Sequence, residues 1–377
     1  MLEPSRVHQF RPWWLLAALL LAPSVAGCGA QGVKPAGSFQ SATTTPITVT
    51  SSASPPAAAS ASTTTRTGCD LPVAISASDH WSGGFLTYPS GAFRSDPGAE
   101  MTRDPANLNL FKTTATPVLR GEGNSLTYDR AFKRWLPVGR WQASLDGRHY
   151  AYAEPVIPPN AVGPVVFGTR IHVVDVASGS DRIVLGDDHG PLHIADYEDA
   201  NVYLNPECVE GCGADAQKLW LLDPQRAALR TISDLQGTWI INRPVAWTVI
   251  ASNGKQGYPF DNADRLMRID LTNGAATAWW TDPGQPLDLL GTDANGEPML
   301  QAATDTQVQL WLVGGQNHAE LLATLQQTLS SPNRFGLLVA DSTGVWLSAN
   351  QGLYHYRPGT DLAQVSGQAL IPAGTCR

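Results

Sequence analysis

Within thirteen residues the chain places Asp187, Asp188, His189, His193, Asp196, Glu198 and Asp199. Carboxylate oxygens and two imidazoles at such spacing are a donor set for Ca²⁺ or another divalent ion. The candidate ligands are Asp187, Asp188, His189 and His193. Asp is also a common turn former, so the same run suits a tight turn between two strands. Cys208 and Cys212 pose a similar choice. Four apart in a polar stretch, they could ligate a metal or form a short disulfide, and no second cysteine pair or neighbouring His favours the metal. Trp279-Trp280 offers faces on which a sugar could stack, though at strand spacing such pairs belong more often to a core. Nucleophile-elbow, zinc-protease, Walker and EF-hand patterns are all missing from the sequence. No catalytic constellation is legible, so a binding role is expected ahead of an enzymatic one.

The elements that must position these residues repeat. Ile171-His172-Val173-Val174-Asp175 leads through Ala177-Ser178-Gly179 to Ile183-Val184-Leu185. Leu219–Asp223, Met267–Asp270, Leu310–Gly314 and Leu353–Arg357 begin similar pairs of apolar runs, and Leu126–Asp129 begins a weaker one. The register positions are 129, 175, 223, 270, 314 and 357, a period near 46. A second hairpin signal, out of phase with the first, shows at Tyr88–Gly91, Ser144–Gly147, Asp293–Gly296 and Asp341–Gly344. Two hairpins per repeat make four strands, the blade of a β-propeller. The expectation is an all-β, six-bladed propeller of four-stranded antiparallel blades over residues 69–377. Residues 92–124 are read as an insertion in the first blade, and seven blades follow if they hide a degenerate unit. Glu320–Leu329 carries Leu at helical spacing, but the repeat register requires a strand there.

The stretch Trp141-Gln142-Ala143-Ser144-Leu145-Asp146-Gly147-Arg148-His149-Tyr150-Ala151-Tyr152, followed by Ile171–Gly179, resembles a repeat of TolB-like and other WD40-like bacterial propellers. Leu145 stands where that family usually has Pro. The resemblance implies the fold and carries no active site, because its motif residues build turns.

The N-terminus fixes the expected compartment. Arg6 and Arg11 precede an apolar run of about ten residues from Trp13, too short to span a bilayer and the length of a signal-peptide core. Pro23 ends the run, and Val25-Ala26-Gly27-Cys28 resembles the lipobox of bacterial lipoproteins. That resemblance implies cleavage after residue 27 and lipidation of Cys28, with two or more acyl chains holding the protein on the membrane's extracytoplasmic face. Residues 28–68 are then the lipidated cysteine and a tether. Ala, Ser, Thr, Pro, Gly and Val dominate it, with too little apolar surface to offset ordering. Removing Glu3, Arg6 and Arg11 with the signal leaves 23 basic and 32 acidic side chains, a net charge of −9. That balance argues against nucleic acid. The expected partners are the membrane, through the lipid, and an unidentified protein, small molecule or glycan; no cofactor is expected unless the acidic run holds Ca²⁺.

With Cys28 lipidated, four cysteines remain, and three pairings are open. A closed ring brings its ends together, so it predicts Cys69–Cys376 with Cys208–Cys212.

Overall fold

The computed structural model describes residues 68–377, apart from 78–79, 159–165, 199–200, 208–217, 252–262, 283–284, 328–333 and 377. Cys28, the signal and tether, and the Cys208/Cys212 pair therefore lie outside the described residues.

The first sheet contains β1 (Cys69–Ser76), β2 (His80–Tyr88), β3 (Ala92–Ser95), β4 (Met101–Asp104), β5 (Asn107–Thr113) and β6 (Arg120–Gly121). A two-stranded ribbon, β7 (Thr127–Asp129) with β8 (Arg134–Leu136), follows. The next sheet has β9 (His149–Val156), β10 (Gly168–Asp175) and β11 (Asp181–Leu185). Four complete four-stranded sheets come after it. They are β12 (Leu192–Glu198) to β15 (Ala228–Ser233) through β13 (Asn201–Pro206) and β14 (Leu219–Asp223); and β16 (Trp239–Asn242) to β19 (Ala276–Thr281) through β17 (Val245–Ile250) and β18 (Arg265–Asp270). Then come β20 (Leu287–Thr292) to β23 (His318–Gln326) through β21 (Pro298–Ala303) and β22 (Gln307–Gly315). The last is β24 (Phe335–Asp341) to β27 (Ala363–Ser366) through β25 (Gly344–Ala349) and β26 (Gly352–Tyr356). Finally β28 (Ile371–Pro372) returns to pair antiparallel with β1.

The fold is a β-propeller. Six sheets have three or more strands, the expected blade number. Residues 92–121 extend the first of them, since β4 pairs with β2 and carries β5 and β6 onward. The weakest repeat copy becomes the β7–β8 ribbon, which packs between the first sheet and the β9–β11 sheet. Its Tyr128 and Trp135 pack on the first sheet, while Leu136 packs with Tyr150 and Tyr152 of the β9–β11 sheet. Apolar clusters fill each junction between neighbouring sheets, as sheets with two apolar faces require. His318–Gln326 is a strand, so the ring overrides its helical Leu spacing.

The repeat's register residues have a physical role. Asp129, Asp175, Asp223 and Asp270 each accept a backbone N–H two or three residues on, at 3.1 Å from Ala131, 2.8 Å from Ser178, 2.9 Å from Gln225 and 2.8 Å from Thr272. The carboxylate replaces a backbone acceptor and closes the turn. Ser144–Gly147 works the same way, with Asp146 accepting from Arg148 N–H at 3.0 Å and Gly147 at φ 69°. One hairpin was out of phase. Tyr88–Gly91 joins β2 to β3, the outer pair of its blade, whereas Asp293–Gly296 and Asp341–Gly344 join inner pairs. The reason is ring closure: β28 supplies the innermost strand, so β1 and β2 move one place outward.

Cys69 and Cys376 are disulfide-bonded, 307 residues apart in sequence with Cα atoms 5.5 Å apart. A loop of that length is worth on the order of 5 kcal/mol on the chain-entropy account. Arg130 Nη2 adds a bond to Thr375 O at 2.7 Å.

Candidate functional site

The first strands of the last four blades, β12, β16, β20 and β24, stand side by side in ring order. Together with residues around Glu122 and Trp141 they enclose a cavity of about 970 Å³, within the size range of small-molecule sites. Its walls differ in chemistry. Glu122, Arg140, His193, Asp196, Glu198 and Glu207 line one side, and Leu289, Leu290, Leu337, Leu338 and Val339 line another.

A β-bulge builds the polar wall. β12 alternates through Leu192, His193 and Ile194, and its pairing with β13 then slips between Ile194 and Asp196. The slip resets the alternation, so that His193, Asp196 and Glu198 stay accessible while Leu192, Ile194 and Tyr197 are buried. β20 and β24 bulge too, between Leu289 and Gly291 and between Phe335 and Leu338.

The charges on this wall are arranged unequally. Glu198 Oε2 pairs with Arg243 Nε at 2.7 Å, and Arg243 also reaches the Tyr203 hydroxyl at 3.2 Å. His193 Nε2 meets Glu207 Oε1 at 3.0 Å, which raises the imidazole's pKa and lowers the carboxyl's. Glu122 accepts from Ala153 N–H at 2.6 Å, Gln142 Nε2 at 3.0 Å and Asn124 Nδ2 at 2.6 Å. Burial nevertheless lifts its carboxyl to about 7, with Glu207 adding repulsion and His193 opposing it. Asp196 rises further, to about 8, through burial first and the charge of Glu198 second. Asp196 keeps some accessible surface, and that surface opens into the cavity. Two carboxyls that exchange protons near neutrality thus sit beside an imidazole.

The residues proposed for a metal separate. Asp187, Asp188 and His189 form an accessible 3₁₀ turn where β11 passes to β12, and Asp187 pairs with Arg170 at 3.3 Å. His189 contacts Asp188 at 3.4 Å, and His193 lies on the cavity wall with Glu207. Among the described residues no group of three or more His, Cys, Asp or Glu side chains converges as a metal site. The acidic run is therefore split between a turn and a strand, because the chain reverses at Gly190 (φ 75°). Trp279 and Trp280 pack against the core between two blades, with Trp247 and Trp311 at 5.6 and 5.7 Å between ring centroids. Sequence reasoning missed Glu122, Glu207 and Arg243. Nothing local marks them, since they come from three separate parts of the chain.

A second polar cluster lies away from the cavity. His172 bonds Asp181 at 2.8 Å and Glu154 at 3.1 Å, and stacks on Tyr152 at 4.4 Å. Tyr152 also donates to Asp181, and Asn107 donates to Glu154. Burial pulls the Asp181 carboxyl up, but the bonds from His172 and Tyr152 outweigh it and the net shift is downward. Each ring nitrogen is already used, so the cluster ties β9, β10 and β11 together.

No protein-family model matches the chain, and no curated protein does. Among solved structures, it is similar to an oligogalacturonate lyase from Vibrio parahaemolyticus at 12% identity, over 71% of this chain and 82% of that one, with a TM-score of 0.44. It is also similar to YCF48 bound to D1 peptide at 10% identity, over 79% and 81%, with a TM-score of 0.40.

Proposed function

We propose that this chain is an extracytoplasmic lipoprotein, anchored through Cys28, whose propeller is a binding module that takes its ligand in the central channel. The observation that carries the reading is the cavity of about 970 Å³, enclosed by first strands from four blades and walled by charged groups on one side and leucines on another. Rigid strands place those groups with little ordering cost on binding. The lipobox-like Val25–Cys28 and the apolar run before it support the anchor.

Two measurements test the two halves. A thermal-shift screen of small molecules and short peptides should find ligands that raise the melting temperature of the wild type, and Leu290→Trp, which pushes a larger side chain into the cavity, should remove that shift. No hit that responds to Leu290→Trp would sink the channel reading. For the anchor, radiolabelled palmitate should label the wild type and not Cys28→Ser, and labelling of both would sink it.

An enzymatic reading draws on one narrower observation. Glu122 near 7, Asp196 near 8 and the imidazole of His193 are proton carriers lining one cavity. Turnover of a channel ligand that is lost in Glu122→Gln or Asp196→Asn would favour it over binding alone.

A further inference from the structure

The walls of the channel restrict what could occupy it. Glu198 and Glu207 already face Arg243 and His193. Asp196 has no ion-pair partner among the described residues, and its hydrogen bond comes from the adjacent Tyr197 N–H. A carboxyl enclosed by protein, bonded to one backbone donor and open to a cavity has no cation in contact with it, and Arg140 and Arg243 act on it only from farther off. Glu122 stands on the same wall, bonded to neutral amides, with the indole of Trp141 also lining the cavity. An aromatic face attracts cations as well. Opposite chemistry follows on β20 and β24, where Leu290, Leu337 and Leu338 offer an apolar surface. An anion would meet the carboxyls of Glu122 and Asp196 beside Arg140, and a bare metal ion would lack three converging ligands among the described residues.

Resting on the channel reading above, we propose that the ligand is an organic cation with an apolar body, its ammonium or guanidinium against Asp196 and Glu122 and its apolar part against Leu290, Leu337 and Leu338. Glu198 with Arg243 and Glu207 with His193 frame the charged end and keep their own partners. Arg140 lines the same cavity, and its charge also acts on Asp196.

The test uses the full protein purified from membranes in detergent, with two fluorescent probes of matched shape. Dansylcadaverine carries a primary ammonium at the end of a five-carbon chain, and its comparator, N-pentyl dansylamide (dansylamide below), ends the same chain in a methyl group and carries no charge. Micelle partitioning is common to every variant and drops out of the comparison. At pH 9, above the carboxyls' values of about 8 and about 7, dansylcadaverine should bind saturably, and Asp196→Asn and Glu122→Gln should each weaken it about tenfold, the scale of one charge-assisted contact. Dansylamide should bind more weakly and ignore both substitutions. Leu290→Trp should abolish binding of both probes, with melting temperatures confirming that each variant is folded. If dansylamide binds as tightly as the cation, or if both carboxyl variants leave the cation's Kd unchanged while Leu290→Trp removes binding, the cation assignment falls and the channel reading stands. If neither probe binds saturably, or Leu290→Trp changes nothing, both fall.

Discussion

The two walls of the channel are made of the same kind of element and do different work. The β12 wall presents His193, Asp196 and Glu198, while the β20 and β24 wall presents leucines. Each of these strands carries a bulge, so local backbone irregularity does not distinguish them. What differs is what stands behind. The leucine wall is continuous with the cluster between the last two blades, where Phe335, Leu347 and Tyr354 are buried and Leu290 and Leu338 pack on them. The polar wall is continuous with charge pairs that reach into the next blade through Arg243. One wall should therefore answer mainly to changes in packing, and the other to changes in charge and pH.

The largest effect should come from the apolar side. Phe335→Ala removes a buried ring and should destabilise by about 3–5 kcal/mol in urea unfolding. A loss under about 1 kcal/mol would show that the leucine wall is not part of the core. Next is Arg243→Met, which removes the cation facing Glu198 and should cost about 1–2 kcal/mol, between the exposed and buried limits for a pair that is only partly covered. Glu198→Gln in that background should recover part of it, and no recovery would mean that Arg243 acts by packing alone.

A smaller effect concerns pH. The folded carboxyl of Asp196 lies at about 8, against about 3.8 when exposed in the unfolded chain. The folded state therefore holds the proton more tightly, so this group favours folding most in acid and loses that contribution as pH rises from about 4 to about 8. Glu198 raises the carboxyl's pKa and Arg140 and Arg243 lower it, and these are the charges whose removal should move the window. Asp196→Asn should flatten stability against pH across that interval, while Leu338→Ala should shift the whole curve without changing its slope. Unchanged slopes in both would erase the distinction between the walls. The smallest effect belongs to His193. Its pKa is raised by Glu207, so the pair stabilises most below the imidazole's unfolded pKa and fades as pH rises through the folded value. Because both side chains are well exposed, His193→Gln should change stability at pH 6 by no more than about 0.5 kcal/mol. A loss several times larger would place His193 among the structural charges.

Much of the fold was legible in the sequence because its cause is local. An Asp that closes a turn two or three residues on, as at 175, 223 and 270, writes its spacing into the chain. Apolar alternation does the same for blade strands, and a period near 46 forces stacking, since one small sheet cannot bury both faces. The pairing of Cys69 with Cys376 followed from that ring, and the structure contains the bond. The sequence also determined the short apolar run and the small residues before Cys28, on which the anchoring proposal rests.

Tertiary structure alone decided the rest. Whether Glu320–Gln326 became strand or helix depended on β22, because its Leu pattern permits both. The cation-facing wall joins Glu122 to residues some 70 to 120 positions later, and no spacing rule connects groups that meet only when a ring closes. The bulge after Ile194 decided which face Asp196 and Glu198 would take. A one-residue slip reverses every side chain beyond it, and its position depends on the neighbouring strand. Together with the turn at Gly190 it turned an acidic run that reads as a metal loop into a split between an exposed turn and the lining of a cavity.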